Sequence, residues 1–115
     1  MSELLDKCKA YGADVTGAME RFMDDEELYE MCLEQFADDP GFAGLEKAVG
    51  EKQYKEAFEH AHALKGVAGN LGLTPLFEAV CELVEPLRAE DYSNIDAEYA
   101  RIEEERERLN KLIGR

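Results

Sequence analysis

The sequence has no tryptophan and, among its 115 residues, only three cysteines and two histidines. Cys8, Cys32 and Cys81 are odd in number and far apart, which argues against a disulfide framework and a C-x-x-C metal site. No apolar run approaches the ~20 residues that cross a bilayer, and the first residues lack the pattern of a signal peptide. We therefore expect a cytoplasmic protein, with ordinary buried thiols at Cys32 and Cys81.

Positive charge is also scarce, because 13 Lys and Arg stand against 27 Asp and Glu, giving a formal charge of −14. That balance argues against nucleic acid or an anionic membrane surface as the main partner. It is compatible with a cation or with a protein partner that has a basic rim. The length and the 45% of hydrophobic residues predict one globular domain over residues 1–115.

Valine, isoleucine and threonine are sparse, and no stretch alternates at period two, so the pattern predicts helices alone. We expect an all-α fold, an antiparallel four-helix bundle with short additional N-terminal helices. The predicted elements are a helix from Ser2 to about Ala10, helices capped by Asp14 and by Asp24 or Asp25, a helix that begins at Pro40 behind Asp39 and ends at Gly50, a helix from about Lys52 to Leu71, one with Thr74 as N-cap, and a last one behind a capping box of Ser93 and Asp96.

Two local features qualify these helices. Pro86 falls inside an apolar helical pattern, and we expect it to kink or end that helix. The last helix contains the run EEERER at residues 103–108. This run is typical of a solvated helix face with pairs such as Glu104–Arg108.

The helix over residues 52–71 holds both histidines, in the stretch EHAHALKGVAGNLG at residues 59–72. A turn of ~100° per residue places Tyr54 and Phe58 on one border of its apolar face. His62 then projects about 120° from the centre of that face, and His60 lies on the opposite flank. The two histidines cannot share a metal ion from a regular helix, and we interpret His60 as a boundary or surface residue. The predicted core face comprises Ala57, Ala61, Leu64, Ala68 and Leu71.

His62 shares its side of the helix with Lys55 and Lys65, and Gly66 and Gly69 follow on that side. Each glycine costs a helix interior about 1 kcal/mol relative to alanine. We interpret the two glycines as clearance that lets another molecule approach His62. The imidazole could attack an activated phosphoryl group, with Lys65 offsetting the new negative charge. A plain surface histidine on a structural bundle is the alternative at this point.

Residues 61–72, AHALKGVAGNLG, match every fixed position of the pattern A-H-x-L-K-G-x-A-x-x-L-G. That pattern is the signature of the histidine-containing phosphotransfer (HPt) domain of two-component phosphorelays, which this sequence resembles over roughly residues 13–113. Residues 18–36 also resemble the family's earlier helices. The resemblance implies that His62 accepts a phosphoryl group from a receiver-domain aspartyl phosphate and relays it to another receiver. It also implies that Lys65 contacts the phosphoryl group and that Gly66 lets the receiver come close.

The same resemblance implies which proteins bind this chain and which of them supplies the transfer chemistry. The partners would be response-regulator receiver domains and a hybrid histidine kinase, and the chain itself would be a monomeric phosphocarrier rather than an enzyme. We expect no cofactor of its own, because the partner receiver would bring the Mg²⁺ and the transition-state machinery. An apolar docking patch is also implied, for which the candidates are Phe22, Met23, Leu28 and Phe77; core packing is the competing interpretation of all four.

Two other functions are compatible with parts of the sequence. Glu59 and His62 form a Glu-x-x-His pair of the kind found in di-iron carboxylate bundles. Such a site needs a second pair on another helix, and the chain has no third histidine to supply one. The stronger alternative is a non-phosphorylated helical-bundle adaptor that binds signalling proteins, although HPt-like adaptors of that kind usually lack the histidine.

Overall fold

Seven α-helices form the fold in the computed structural model, which describes residues 2–115. They are α1 (Glu3–Tyr11), α2 (Val15–Arg21), α3 (Glu26–Ala37), α4 (Pro40–Gly50), α5 (Tyr54–Asn70), α6 (Thr74–Arg88) and α7 (Ile95–Leu112). No strand occurs within residues 2–115, so the all-α prediction is confirmed. In the same residues, no helix has both the length and the apolar character that a bilayer span requires.

The first four helices begin at side-chain caps, three of which the sequence predicts; Ser2, predicted as the start of α1, is its cap. Side-chain oxygens of the four capping residues accept hydrogen bonds from backbone N–H groups of the first turn, which would otherwise lack an intrahelical partner. Asp25, rather than Asp24, is the cap of α3. Pro40 is the first residue of α4, as predicted. The pairs are Ser2 with Leu5, Asp14 with Gly17, Asp25 with Leu28 and Asp39 with Gly41.

The bundle is built by α4, α5, α6 and α7, which short connections join in succession. Helix α5 packs between α4 and α6, α6 packs against α7, and contacts between α4 and α7 close the arrangement. Helices α1 and α3 contact α7, and α2 joins α1 to α3. Helices α5 and α6 therefore lie at the centre of the bundle, and one side of α5 faces outward.

One prediction about α6 is wrong, and one of the two alternatives predicted for Pro86 is excluded. The cap position of α6 is Leu73, so Thr74 is already the first helical residue. Pro86 does not end the helix, which continues to Arg88. The lost N–H affects a single bond close to the helix end, and the adjacent Leu87 is buried in the core. Burial of that side chain outweighs the missing backbone hydrogen bond.

The predicted capping box before α7 is also wrong. The Ser93 hydroxyl donates to Asp91 Oδ1 at 2.6 Å, and the Ser93 N–H donates to the same oxygen at 3.2 Å. Because the Ser93 hydroxyl is bound to Asp91 in this local turn, it does not cap α7. Asn94 occupies the cap position instead, without a side-chain hydrogen bond to the helix.

The charged run of α7 is only partly a solvated face. Glu105 is buried, and its carboxylate binds Arg108 at 2.8 Å, which replaces the predicted Glu104–Arg108 pair. The Arg108 guanidinium also donates to the carbonyl of Tyr11 at 3.0 Å and lies 4.5 Å from the centre of its ring. An arginine side chain can pack its stem and its guanidinium face against an aromatic ring while its N–H groups bind polar atoms. Arg108 of the charged run therefore also connects α7 to α1.

The three cysteines are free thiols. Cys8 is buried, and burial raises the pKa of its thiol above the usual range. Cys32 and Cys81 are only half-buried, which corrects their predicted burial, and Cys32 packs against the core from outside.

Candidate functional site

Helix α5 is oriented in the bundle so that its predicted apolar face points toward the core. The five residues of that face are all buried, and Tyr54 and Phe58 lie half-buried at its border as predicted. This burial fixes which side of α5 faces solvent. His62 is exposed on that side, and Lys65 beside it is half-buried. The buried set is Ala57, Ala61, Leu64, Ala68 and Leu71.

His60 is a packing residue between α5 and α4. It is half-buried, and its ring occupies the space beside Gly44, where a Cβ would lie 2.6 Å from the imidazole. The interpretation of His60 as a boundary residue is thus confirmed. His60 and His62 are held apart on different sides of the helix. Within residues 2–115, no group of three or more His, Cys, Asp or Glu side chains is arranged to hold a metal ion.

A shallow surface depression of about 380 Å³ brings the predicted site residues together. His62, Lys65, Gly66 and Gly69 contribute to it from α5, as their shared side of the helix requires. Other helices complete its lining with Arg21 from α2 and Phe77 from α6. The remaining lining residue is Asn70.

The two glycines of the depression have different neighbours. A Cβ built on Gly66 has no other atom within 4 Å, so this position is open to solvent and to an approaching molecule. A Cβ on Gly69 would lie 3.1 and 3.2 Å from two ring carbons of Phe77. The clearance predicted at Gly69 is therefore already occupied by the protein's own phenylalanine, which corrects that part of the prediction.

Arg21 is a site residue that the sequence did not indicate. Its Nε donates to the carbonyl of Asn70 at 2.8 Å, and its Nη2 approaches the carbonyl of Gly69 at 3.3 Å. Both carbonyls belong to the last turn of α5, and the Gly69 carbonyl also accepts from the Gly72 N–H at 3.1 Å. The bonds join α2 to α5 across 48 and 49 residues of sequence. No short-range sequence pattern predicts a contact at that separation.

The depression carries positive charge in an otherwise acidic protein. Within residues 2–115, neither Arg21 nor Lys65 has a carboxylate oxygen within 4.0 Å. No Asp or Glu lines the depression either. Two cations without a carboxylate partner in a chain of charge −14 favour an anion at this surface.

The His62 imidazole is held through its face. Its ring lies nearly parallel to that of Phe58, at an interplanar angle of 14° with the ring centres 5.7 Å apart. Neither ring nitrogen of His62 has a hydrogen-bond partner among residues 2–115. Both nitrogens are therefore available to an incoming group.

The four apolar docking candidates differ in exposure. Met23 is 87% exposed, and Leu28 is also exposed. Phe22 is half-buried with its ring edge-on to Tyr29, and Phe77 is half-buried against Gly69. Met23 and Leu28 are thus free to meet a partner, whereas the two phenylalanines are engaged in packing.

Comparison with known proteins gives one match. The model of the Hpt domain family matches residues 27–112, which is well over half of the chain and includes all of α4 to α7. The match begins after α2, so Arg21 and Met23 lie outside it. No curated protein and no solved structure gives a significant match.

Proposed function

We propose that this chain, which belongs to the Hpt domain family, accepts a phosphoryl group on His62 from a receiver-domain aspartyl phosphate and relays it to another receiver. Family membership supports phosphotransfer in two-component signalling in general. The observation that carries the assignment to His62 is the exposed imidazole beside Lys65 and the open backbone of Gly66.

The transfer is a displacement at phosphorus. A lone pair of one imidazole nitrogen of His62 forms the new N–P bond while the P–O bond to the receiver's aspartate breaks. The aspartate leaves as a carboxylate, and the proton on the other ring nitrogen passes to solvent or stays on the phosphorylated ring. In the second step, an aspartate of the next receiver attacks phosphorus, and His62 returns to its starting form.

Lys65 is the residue best placed to offset the charge that arrives with the phosphoryl group. It follows His62 by three residues, so its side chain lies on the same side of α5, and both residues line the depression. Its ammonium group has no carboxylate within 4.0 Å among residues 2–115. It is therefore free to donate a charge-assisted hydrogen bond to a phosphoryl oxygen.

The chain supplies a nucleophile, a cation and space, and the partner supplies the rest. Phosphoryl transfer depends on positioning and on stabilising the charge of the transferred group, for which carboxylate-bound Mg²⁺ is the common solution. The depression contains no carboxylate that could bind such an ion. We therefore assign the metal and most of the transition-state stabilisation to the receiver domain, and the phosphocarrier role to this chain.

A labelling experiment tests the assignment. The wild-type chain, mixed with a receiver that carries labelled phosphate, should acquire label that is labile to acid and stable to alkali. His62→Gln should acquire none, although its fold should be intact because the side chain is exposed. His60→Gln is the matched control two residues away, and it should keep the label. Equal labelling of His62→Gln and wild type would refute the proposal, and binding without any label would favour an adaptor.

A further inference from the structure

Three aromatic side chains follow one line along α5. Tyr54, Phe58 and His62 are spaced four residues apart, so each lies one turn above the one before. Tyr54 stacks on Tyr92 of the α6–α7 connection, with ring centres 4.0 Å apart. Phe58 stacks on the His62 imidazole. Only the Phe58 ring of this row thus touches the nucleophile.

A histidine that acts as a nucleophile or base is usually oriented by a hydrogen bond from one ring nitrogen to a carboxylate or carbonyl group. His62 has no such partner among residues 2–115. A contact through the ring face can replace that hydrogen bond. The nitrogen lone pairs lie in the plane of the imidazole, so a face contact restrains the ring without occupying either nitrogen.

Phe58 is itself held in place. It is half-buried at the border of the α5 core face, and the guanidinium carbon of Arg88 lies 5.6 Å from its ring centre. Arg88 is the last residue of α6, and both oxygens of the Glu85 carboxylate hold it, at 2.9 and 3.2 Å. The guanidinium is within the range of a cation–π contact. The Phe58 ring is therefore connected to α6 as well as to its own helix.

We propose that Phe58 is a positioning residue of the phosphotransfer site. Its ring, supported by Arg88, restricts the His62 imidazole to one orientation and keeps both nitrogens free for phosphoryl transfer. The kinetic part of this proposal rests on the proposed function of His62, whereas the orientation of the ring can be measured without any phosphoryl transfer.

Phe58→Leu removes the stacking ring and keeps an apolar side chain at the helix border. Tyr54→Leu is the matched control, because it removes a half-buried ring from the same line of α5 without a stacking contact to His62. Phe58→Tyr retains the ring and should behave like wild type. Phosphoramidate serves as donor, since it is too small to depend on docking. Its P–N bond breaks, ammonia leaves, and the new N–P bond forms on His62.

Loss of an aromatic contact of this kind should slow the phosphorylation of His62 by phosphoramidate about two- to tenfold in Phe58→Leu. The proton couplings that report the His62 side-chain torsions should move toward rotamer-averaged values in the same variant. Tyr54→Leu and Phe58→Tyr should change neither quantity. Thermal unfolding of all three variants measures the stability that each change removes.

Two results would overturn the proposal. One is a Phe58→Leu variant whose His62 couplings and phosphorylation rate equal those of wild type. The other is an equal slowing in Tyr54→Leu, which would trace the effect to lost stability. If wild type accepts no phosphoryl group from either phosphoramidate or a receiver, the function proposed for His62 fails, and the couplings alone then decide whether Phe58 orients the ring.

Discussion

Gly66 allows a direct test of whether a glycine in α5 serves access rather than folding. It lies inside the helix, it is exposed, and a Cβ at this position meets no atom within 4 Å. Gly66→Ala should therefore enter the structure without strain. It should raise the free energy of unfolding by about 1 kcal/mol, the usual difference between the two residues in a helix interior. For a domain of this size, that gain corresponds to a melting temperature about 4 °C higher.

Two other helical glycines are the matched controls. A methyl group on Gly69 would lie 3.1 Å from the nearest ring carbon of Phe77, and one on Gly44 would lie 2.6 Å from the His60 ring. Overpacking should offset the gain in helix propensity at Gly69 and exceed it at Gly44. Urea unfolding should rank Gly66→Ala above Gly69→Ala, with Gly44→Ala the least stable. A Gly66→Ala variant less stable than wild type would refute the reasoning from open space.

Gly66→Gln separates access from stability. Its longer side chain should still be compatible with the helix, but it would project into the depression beside His62. We expect transfer from a phosphorylated receiver to slow about tenfold or more, because a small displacement of the reacting groups has a large effect on rate. Phosphorylation by phosphoramidate, which needs no docking, should change little. Undiminished receiver binding with full transfer would refute the access argument.

Three further predictions concern other residues. Lys65→Ala should change the free energy of unfolding by no more than about 0.5 kcal/mol. It should slow the labelling of His62, or shorten the lifetime of the label, about tenfold, and unchanged time courses would contradict the role proposed for Lys65. Tyr29→Phe removes the buried hydrogen bond of 2.7 Å that the phenol donates to the Leu71 carbonyl. The free energy of unfolding measured in urea should fall by about 1–2 kcal/mol, and no loss would show that the bond is not stabilising. Burial raises the pKa of both Tyr11 and Tyr29 above the usual range, so the folded chain holds these protons more tightly than the unfolded chain. Stability should be fully present below about pH 10 and fall as pH rises further, and urea midpoints that increase over that range would contradict the assignment.

The sequence predicted the helices and the rotation of α5 because both follow from short-range rules. Apolar residues at every third or fourth position face the core, and the four buried residues of α5 leave His62 facing outward. Caps were predictable for the same reason, since an aspartate or serine binds N–H groups two or three residues away. The prediction failed where a second local interaction competed, as at Ser93, which binds Asp91 rather than the helix.

The parts of the site that come from other helices could not be predicted in this way. Arg21 reaches the end of α5 only after α2 has packed, and Phe77 reaches Gly69 only after α6 has. Neither contact has a sequence spacing that marks it. Arg108 shows the same limit, because its binding to the Tyr11 carbonyl joins residues 97 positions apart, although its neighbours in sequence predict a solvated face.

The glycines beside the two histidines show why the role of a helical glycine cannot be inferred from helix propensity alone. Gly44 and Gly66 weaken their helices for the same intrinsic reason. At Gly44, the space is filled by the His60 ring, so the glycine serves packing between α4 and α5. At Gly66, the space beside His62 stays empty, so nothing within residues 2–115 compensates the weakened helix. The open space at Gly66 lies beside the exposed His62 and Lys65, where the proposed receiver would have to approach, and Gly66→Gln tests that explanation.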